Sequence, residues 1–203
     1  MVKDLSEGSC EMIKEVKEKA LEDKVPIIKD DGLSFLLHLI KERGCRSILE
    51  LGTAVGYSSM QMAMLDEEIQ IDTIEKKEEM CHQAVENIEK AGLKERIHVH
   101  FLPIEEFRSD KKYDLIFVDA AKAQYSRYLE QFIGNLKEDG VMVFDNMVFH
   151  QMIYDPENIA SRGTRALVRK IIKFREEVRK DDRFDIIFYD NVGDGILVLN
   201  RRK

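Results

Sequence analysis

The segment SILELGTAVGYSS, Ser47 to Ser59, constrains the fold of this chain more than any other stretch. Ile48, Leu49 and Leu51 form an apolar run that fits a strand covered on both faces, as in a parallel sheet. Gly52 and Gly56 follow at once and permit a sharp turn with close approach of backbone to a ligand. Thr53, Ser58 and Ser59 are suited to cap or hydrogen-bond at the start of the helix that comes next. The spacing Glu50-x-Gly52-x-x-x-Gly56 is neither the three-glycine dinucleotide fingerprint nor a phosphate loop, which ends in Gly-Lys-Ser/Thr. A diphosphate is therefore not the first choice of ligand.

An ionised acid at a strand end accepts hydrogen bonds and cannot donate them, which suits a ligand that presents cations or hydroxyls. S-adenosylmethionine has that character, with its amino group, sulfonium and ribose. An ordinary strand-to-helix turn of any α/β domain is the competing interpretation, and the loop alone leaves both open.

Around this segment the apolar spacing alternates between helix and strand. Ser6 to Asp23 carries Met12, Ile13, Val16, Ala20 and Leu21 at roughly the helical period, and a second helix starts at Asp30 or Asp31 and stops near Gly44. Tyr57 to Leu65 reads as a helix whose Met60, Met62 and Met64 are core filler. Further strands are expected at Ile69 to Glu75, Ile97 to Leu102, Tyr113 to Asp119 and Gly140 to Asp145, with a helix at Lys77 to Ala91 stopped by Gly92. Such alternation predicts an α/β fold with a doubly wound, mainly parallel sheet. The tail differs, with a helix from about Thr164 to Lys180 and then Phe184 to Tyr189 and Gly195 to Asn200 spaced to pair as a hairpin. The chain shows no repeat or linker, so residues 1–203 read as one domain whose first 44 or so residues are accessory helices.

Thirty-two basic and 39 acidic residues give a net charge of −7, which does not mark the chain as a whole as a nucleic-acid binder but leaves room for a local patch. Cys10, Cys45 and Cys81 are odd in number and far apart, so neither a disulfide framework nor a zinc site is indicated. His98 and His100 alternate on a strand and share one of its faces rather than binding metal. There is no apolar run of membrane-spanning length, and Met1 to Asp23 is charged and amphipathic rather than a secretion signal, so no membrane partner and a reducing cytoplasm are expected.

Ligands of open parallel sheets bind beyond the carboxyl ends of the strands, where this chain places Glu50, Glu75, Asp119, Asp145 and Asn146. Glu75 stands about 20 residues past the glycine loop, the spacing at which a carboxylate grips ribose hydroxyls. Asp119, Asp145 and Asn146 offer two carboxylates and an amide oxygen, hard ligands suited to Mg²⁺ or another divalent cation. Lys122, three residues past Asp119, would be a general base if desolvated beside a cation. Each of these alone is more often a cap or turn residue; together they favour a metal site.

The ordered motifs ILELGTAVGYSS, IDTIE, DLIFVDAAKAQY, GVMVFDNMVF and VGDGI resemble the cation-dependent class I O-methyltransferases that include catechol and caffeoyl-CoA methyltransferases. The resemblance spans about residues 25 to 200 and implies a Rossmann-like, seven-stranded sheet of order 3-2-1-4-5-7-6, S-adenosylmethionine as methyl donor and a homodimer. It places Glu50, Gly52 and Ser58 at the methionine moiety, Glu75 at the ribose, and Ile28, Ile104 and Asp119 among the other cofactor contacts. Asp119, Asp145 and Asn146 would bind the cation and Lys122 would be the catalytic base.

VPIIKDDG, AAKAQY, the basic segment after Gly163 and the VGDG hairpin are most similar, within this group, to bacterial tRNA 5-hydroxyuridine methyltransferases. Arg162 to Lys180 holds eight basic and two acidic residues, a +6 helix that suits phosphate contacts with tRNA; a solvated helix face is the alternative. A 5-hydroxyl beside the 4-carbonyl of uracil is a bidentate oxygen pair, as catechol is. Phe188 aligns near the acid with which catechol enzymes hold their second hydroxyl, and Asp194 is a candidate to compensate. Three readings follow: an RNA-modifying methyltransferase, a small-molecule catechol or caffeoyl-CoA type enzyme, and a non-catalytic S-adenosylmethionine-binding module, the last disfavoured because a binding module has no need of Lys122.

Overall fold

The computed structural model describes residues 7–202, apart from the Glu7 side chain. Ser6, expected to open the first helix, and Lys203 lie outside them. In chain order the main elements are α1 (Glu7–Glu22), α2 (Asp30–Arg43), β1 (Ser47–Leu51), α3 (Tyr57–Ala63), β2 (Gln70–Glu75), α4 (Glu78–Lys90) and β3 (Ile97–Phe101). They are followed by β4 (Tyr113–Val118), α5 (Tyr125–Phe132), β5 (Leu136–Phe144), α6 (Arg162–Val178), β6 (Phe184–Tyr189) and β7 (Ile196–Arg201). The seven strands form one sheet of order β3-β2-β1-β4-β5-β7-β6, as expected.

By contact density the chain divides into two compact units. The first comprises the described part of Met1–Ile28 together with Leu36–Arg108. Its strands β1, β2 and β3 pair in parallel, with Glu50 opposite Thr73 and Ile74 opposite His100. Ile48, Leu49, Leu51, Ile71 and Ile74 are fully buried, which is what a strand packed on both faces demands. Met60 and Met62 of α3 are buried as filler, while α1 seats Ile13, Val16 and Ala20. Its Ser9 hydroxyl donates to the Ala91 carbonyl at 3.1 Å.

The second unit comprises Lys29–Phe35 and Ser109–Lys203, so α2 contributes its first turns here and the rest to the first unit. β4 and β5 pair in parallel, and β5–β7 and β6–β7 pair antiparallel, the latter as the expected hairpin. Its core is an aromatic triangle of Tyr125, Phe144 and Phe174, with ring centroids 5.0 to 5.6 Å apart. Helix α5 was not among the expected elements, although its buried residues Tyr125, Tyr128, Leu129 and Phe132 sit at helical spacing. No capping side chain marks its start, because a 3₁₀ turn, Lys122–Gln124, leads into it instead. β5 opens at Leu136 rather than Gly140: Tyr113 pairs with Leu136 and Leu115 with Val141, so a bulge takes up the polar residues Lys137 to Asp139. Helix α6 starts two residues earlier than Thr164, with the Ser161 hydroxyl accepting from the Thr164 N–H as an N-cap.

The β6–β7 turn crosses the exit of β5 at van der Waals distance. Gly195 has φ +84°, and a Cβ there would fall 2.7 Å from the Val148 nitrogen. The same residue's carbonyl accepts from Met147 N–H at 2.8 Å, so it cannot move aside without losing that bond. Gly195→Ala should therefore destabilise the fold by about 2 kcal/mol or more, through both strain and overlap. Urea unfolding reads this directly, and a change under about 0.5 kcal/mol would show that the turn is free to relax.

Candidate functional site

In the first unit the chemistry gathers around the loop after β1. Glu50 is fully buried, and its carboxylate accepts from the Ser58 hydroxyl at 2.5 Å, the Thr73 hydroxyl at 2.6 Å and the Ser59 hydroxyl. Thr53 lies 2.7 Å from Thr73 and extends the cluster. Glu50 and Ser58, both expected beside a methionine moiety, thus hold each other and fasten the first turn of α3 to β1 and β2. Gly52 has φ 106° and, with Thr53, donates to the Ile74 carbonyl. Glu75 ends β2 half-buried; one carboxylate oxygen accepts from the Ala54 N–H at 3.0 Å and the other from the Lys76 and Lys77 N–H groups at 2.9 Å. Ile28 and Ile104 are buried in the same unit. Thr73 was missed by the sequence reading, although a threonine between the apolar residues of IDTIE was a legible sign of a buried polar contact.

In the second unit Asp119 and Asp145 each follow the last residue of a strand, and those residues, Val118 and Phe144, are register partners. The Asp145 N–H donates to the Val118 carbonyl at 3.1 Å. Asp145 is 2% exposed, and burial, reinforced by the charges of Asp119 and Asp194, raises its pKa from 3.8 to about 7. The Asn146 N–H at 2.7 Å and nearby Lys122 act the other way. Lys122 Nζ lies 3.3 Å from Asp119 Oδ1. Tyr125, buried, donates to the Asp145 carbonyl at 3.0 Å, and its pKa is pushed well up by burial and then by the charges of Asp119, Asp145 and Asp194. The structure therefore brings Asp119, Lys122, Asp145 and Asn146 into one locus and adds Asp194.

Asp194 had no settled place in the sequence. It is 2% exposed; its Oδ1 accepts from the His150 N–H at 2.8 Å and from Lys29 Nζ at 3.4 Å, and its Oδ2 faces Asn146 Nδ2 at 3.5 Å. The Lys29–Asp31 segment closes on the same turn, with Gly193 N–H donating to Asp31 Oδ2 at 2.9 Å. Among the described residues no three His, Cys, Asp or Glu side chains form a cation-binding group. His98 is exposed, and His100 pairs with Asp72 at 2.7 Å. The expected cation set instead combines two carboxylates with an amide. It fits a divalent cation in one respect: Asp145 is a buried carboxylate crowded by Asp119 and Asp194, and Lys122 and the Asn146 N–H offset that crowding only in part.

Helix α6 turns one of its basic residues inward. Arg175 is buried on the apolar stripe of Val168, Ile171, Phe174 and Val178, donates two bonds of 2.9 Å to Asp190 and reaches the Met147 carbonyl at 3.2 Å. Phe188, which stands where an acid was sought, lies under two guanidinium groups, with Arg175 at 4.3 Å and Arg179 at 4.6 Å from its ring centre. Arg165 donates to the Ile159 carbonyl, Arg169 pairs with Glu157 and Lys173 with Glu177. A positive residue on an apolar helix stripe was the available signal for Arg175.

The strand order and the strand-end acids define a Rossmann-like methyltransferase fold. The O-methyltransferase family profile matches residues 3–203, and the chain belongs to that family. It is 29% identical over 210 residues to a caffeoyl-CoA O-methyltransferase of Populus kitakamiensis, covering 96% of this chain and 88% of that protein. The crystal structure of a Staphylococcus aureus protein provisionally named caffeoyl-CoA O-methyltransferase superposes with a TM-score of 0.90 at 32% identity, covering 93% of this chain and 91% of that one. A Bacillus cereus O-methyltransferase in complex with SAH gives 0.78 at 26% identity, covering 94% and 91%.

Removing the Arg175 side chain strands Asp190 in a half-buried position, so Arg175→Met should destabilise the fold by about 3 kcal/mol at neutral pH. The hydrogen bonds from Arg175 hold the Asp190 pKa below its ordinary value against the opposing effect of burial. A depressed carboxylate stabilises above its unfolded pKa of about 4, and that stability is lost as pH falls through the folded value. The gap between wild type and variant should accordingly narrow below about pH 4 in urea unfolding; a gap independent of pH would mean that the pair contributes nothing.

Proposed function

We propose that this chain transfers a methyl group from S-adenosylmethionine to one hydroxyl of an adjacent oxygen pair on a small aromatic acceptor of the catechol or caffeoyl-CoA type. The observation that carries the proposal is the locus of Asp119, Asp145, Asn146 and Lys122 at the ends of β4 and β5 in a member of the O-methyltransferase family.

For the donor, the SAH complex of the Bacillus cereus relative supports S-adenosylmethionine as the source of the methyl group. Glu75 would take the ribose: its Oε2 receives one N–H and keeps an acceptor position for a hydroxyl. Gly52, held open at φ 106°, leaves room for the methionine end, with Glu50 and Ser58 shaping the loop beneath it. Ile28 and Ile104 would add apolar contact.

For the acceptor, Asp119, Asp145 and Asn146 would hold a divalent cation, which when bound supplies charge that acidifies a hydroxyl and orients its neighbour. Lys122 would accept the hydroxyl proton at Nζ, which Asp119 Oδ1, 3.3 Å away, directs. Loss of the sulfonium charge on transfer leaves little else for the protein to stabilise. The homodimer is part of this proposal and is read by sedimentation.

A second reading, 5-hydroxyuridine in tRNA, draws on Arg162, Arg169, Lys170, Lys173, Arg179 and Lys180, which are exposed on or just beyond α6. Of the other basic residues of the segment, Arg175 is buried against Asp190 and Arg165 bonds the Ile159 carbonyl, while Arg169 and Lys173 hold exposed pairs with Glu157 and Glu177; the small acceptor is favoured by the caffeoyl-CoA O-methyltransferase relatives.

Purified protein incubated with S-adenosylmethionine and Mg²⁺ should methylate caffeoyl-CoA or catechol in preference to hydroxylated tRNA, and lose that activity in excess chelator. Preference for tRNA with a steep salt dependence would reverse the order of the two readings. Glu75→Ala should weaken S-adenosylmethionine binding by about 1 to 3 kcal/mol in calorimetry, whereas Asp145→Ala should remove turnover and leave that affinity within about twofold. Equal affinity of Glu75→Ala and wild type would take Glu75 out of the donor site.

A further inference from the structure

The segment that follows Asn146 has little to hold it within itself. Phe149, His150 and Gln151 have φ of 43°, 55° and 65°, three consecutive non-glycine residues in the left-handed region. Beyond them come only two single 3₁₀ turns, Met152–Tyr154 and Pro156–Asn158, and no residue from 149 to 160 is buried. A stretch with this few internal contacts opens at low free energy unless it is tied from outside.

The ties all come from α6 and the β6–β7 hairpin. Arg165 Nε and Nη2 both donate to the Ile159 carbonyl, at 3.1 and 2.6 Å. Arg169 Nη2 spans both oxygens of Glu157, at 3.0 and 3.2 Å. Tyr154 donates to Asp190 Oδ2 at 3.1 Å, and Asp190 is itself held by Arg175. At the near end the His150 N–H donates to Asp194, the carboxylate that faces Asn146. Both 3₁₀ turns pack on α6. Phe149, Met152 and Ile153 remain partly exposed, so the segment offers apolar surface.

We propose that residues 149–160 form a strap bordering the acceptor locus and that Arg165 and Arg169 are positioning residues for it, setting the acceptor's fit from a helix that never touches the reacting atoms. This rests on the small-acceptor reading for its consequence in catalysis, but not for the clamp itself. The outer ties are of a kind that yields easily: the Arg169 and Glu157 side chains are 59% and 72% exposed, so water and salt compete for the pair. The strap is thus held without being locked, as entry and exit of an aromatic acceptor require.

The test is the double variant Arg165→Ala with Arg169→Gln, compared with wild type without any ligand by amide hydrogen exchange. Exchange over residues 150–160 should quicken about tenfold or more while β4 and β5 keep their protection. Equal exchange in the strap overturns the clamp. With catechol as acceptor, KM for catechol should rise about fivefold or more, with kcat and the KM for S-adenosylmethionine within about twofold; a fall in kcat at constant KM overturns the positioning role. Arg165→Lys, which keeps one donor for the Ile159 carbonyl, should recover part of the KM. Should wild type methylate no catechol at all, the functional reading falls, and the exchange experiment still decides the clamp.

Discussion

The second unit is built around a carboxylate that water barely reaches. Asp145 sits 2% exposed at the end of β5 with Asp119 and Asp194 near it, and burial first, then those charges, raise its pKa to about 7. Because that pKa is raised above the unfolded value, ionisation of Asp145 opposes folding, increasingly as pH rises from about 4 towards 7. The fold accepts this opposition and surrounds it with groups that limit it: the Asn146 N–H, Lys122 and an aromatic wall of Tyr125 and Phe144 that keeps the strand end in register. A protein gains nothing in stability from such an arrangement. In the proposed function a divalent cation held by these carboxylates would relieve their mutual repulsion.

The same electrostatic reasoning changes the meaning of α6. Counted along the sequence the helix is strongly positive, and a formal charge of that size on an acidic chain invites a polyanionic partner. What matters for recognition, however, is charge that solvent and ligands can reach. By that measure Arg175, buried against Asp190, and Arg165, half-buried on the Ile159 carbonyl, count for little, while Arg169 and Arg179 stay exposed even as they pair with Glu157 and lie on the Phe188 ring. A planar guanidinium with several fixed donors serves these internal duties better than lysine would, which explains why the committed positions are mostly arginine.

Much of the fold was legible because its signals are local. The buried run Ile48 to Leu51, the glycine turn after it, and the repeated apolar strands ending in acids dictate a parallel sheet, and the strand order follows the resemblance those motifs carry. The bulge before Gly140 and helix α5 were missed for related reasons. Polar residues at a bulge look like a loop, and a helix entered through a 3₁₀ turn lacks the capping residue that announces a start. Of the site, the strand-end acids could be placed from sequence, whereas Thr73, Asp194 and Arg175 act through partners from 15 to 48 residues away. Contacts at that separation are set by tertiary packing, and no periodicity within one sequence reports them.

The glycine loop shows how acids at strand ends serve structure before they serve a ligand. Glu50, an acceptor only, gathers the hydroxyls of Ser58, Ser59 and Thr73, and so fastens β1, β2 and the start of α3 at one buried point. Glu75 then takes the Ala54 N–H, on a residue held at φ 46°, from the far side of the turn. Two carboxylates thereby fix a backbone whose glycines would otherwise leave it loose, since glycine loses more conformational entropy on ordering than any other residue. A loop already ordered by the fold forfeits less entropy when a ligand binds. On this view the acid at position 50 is required for the shape of the loop, and the acceptor capacity left on Glu75 is what remains available for recognition.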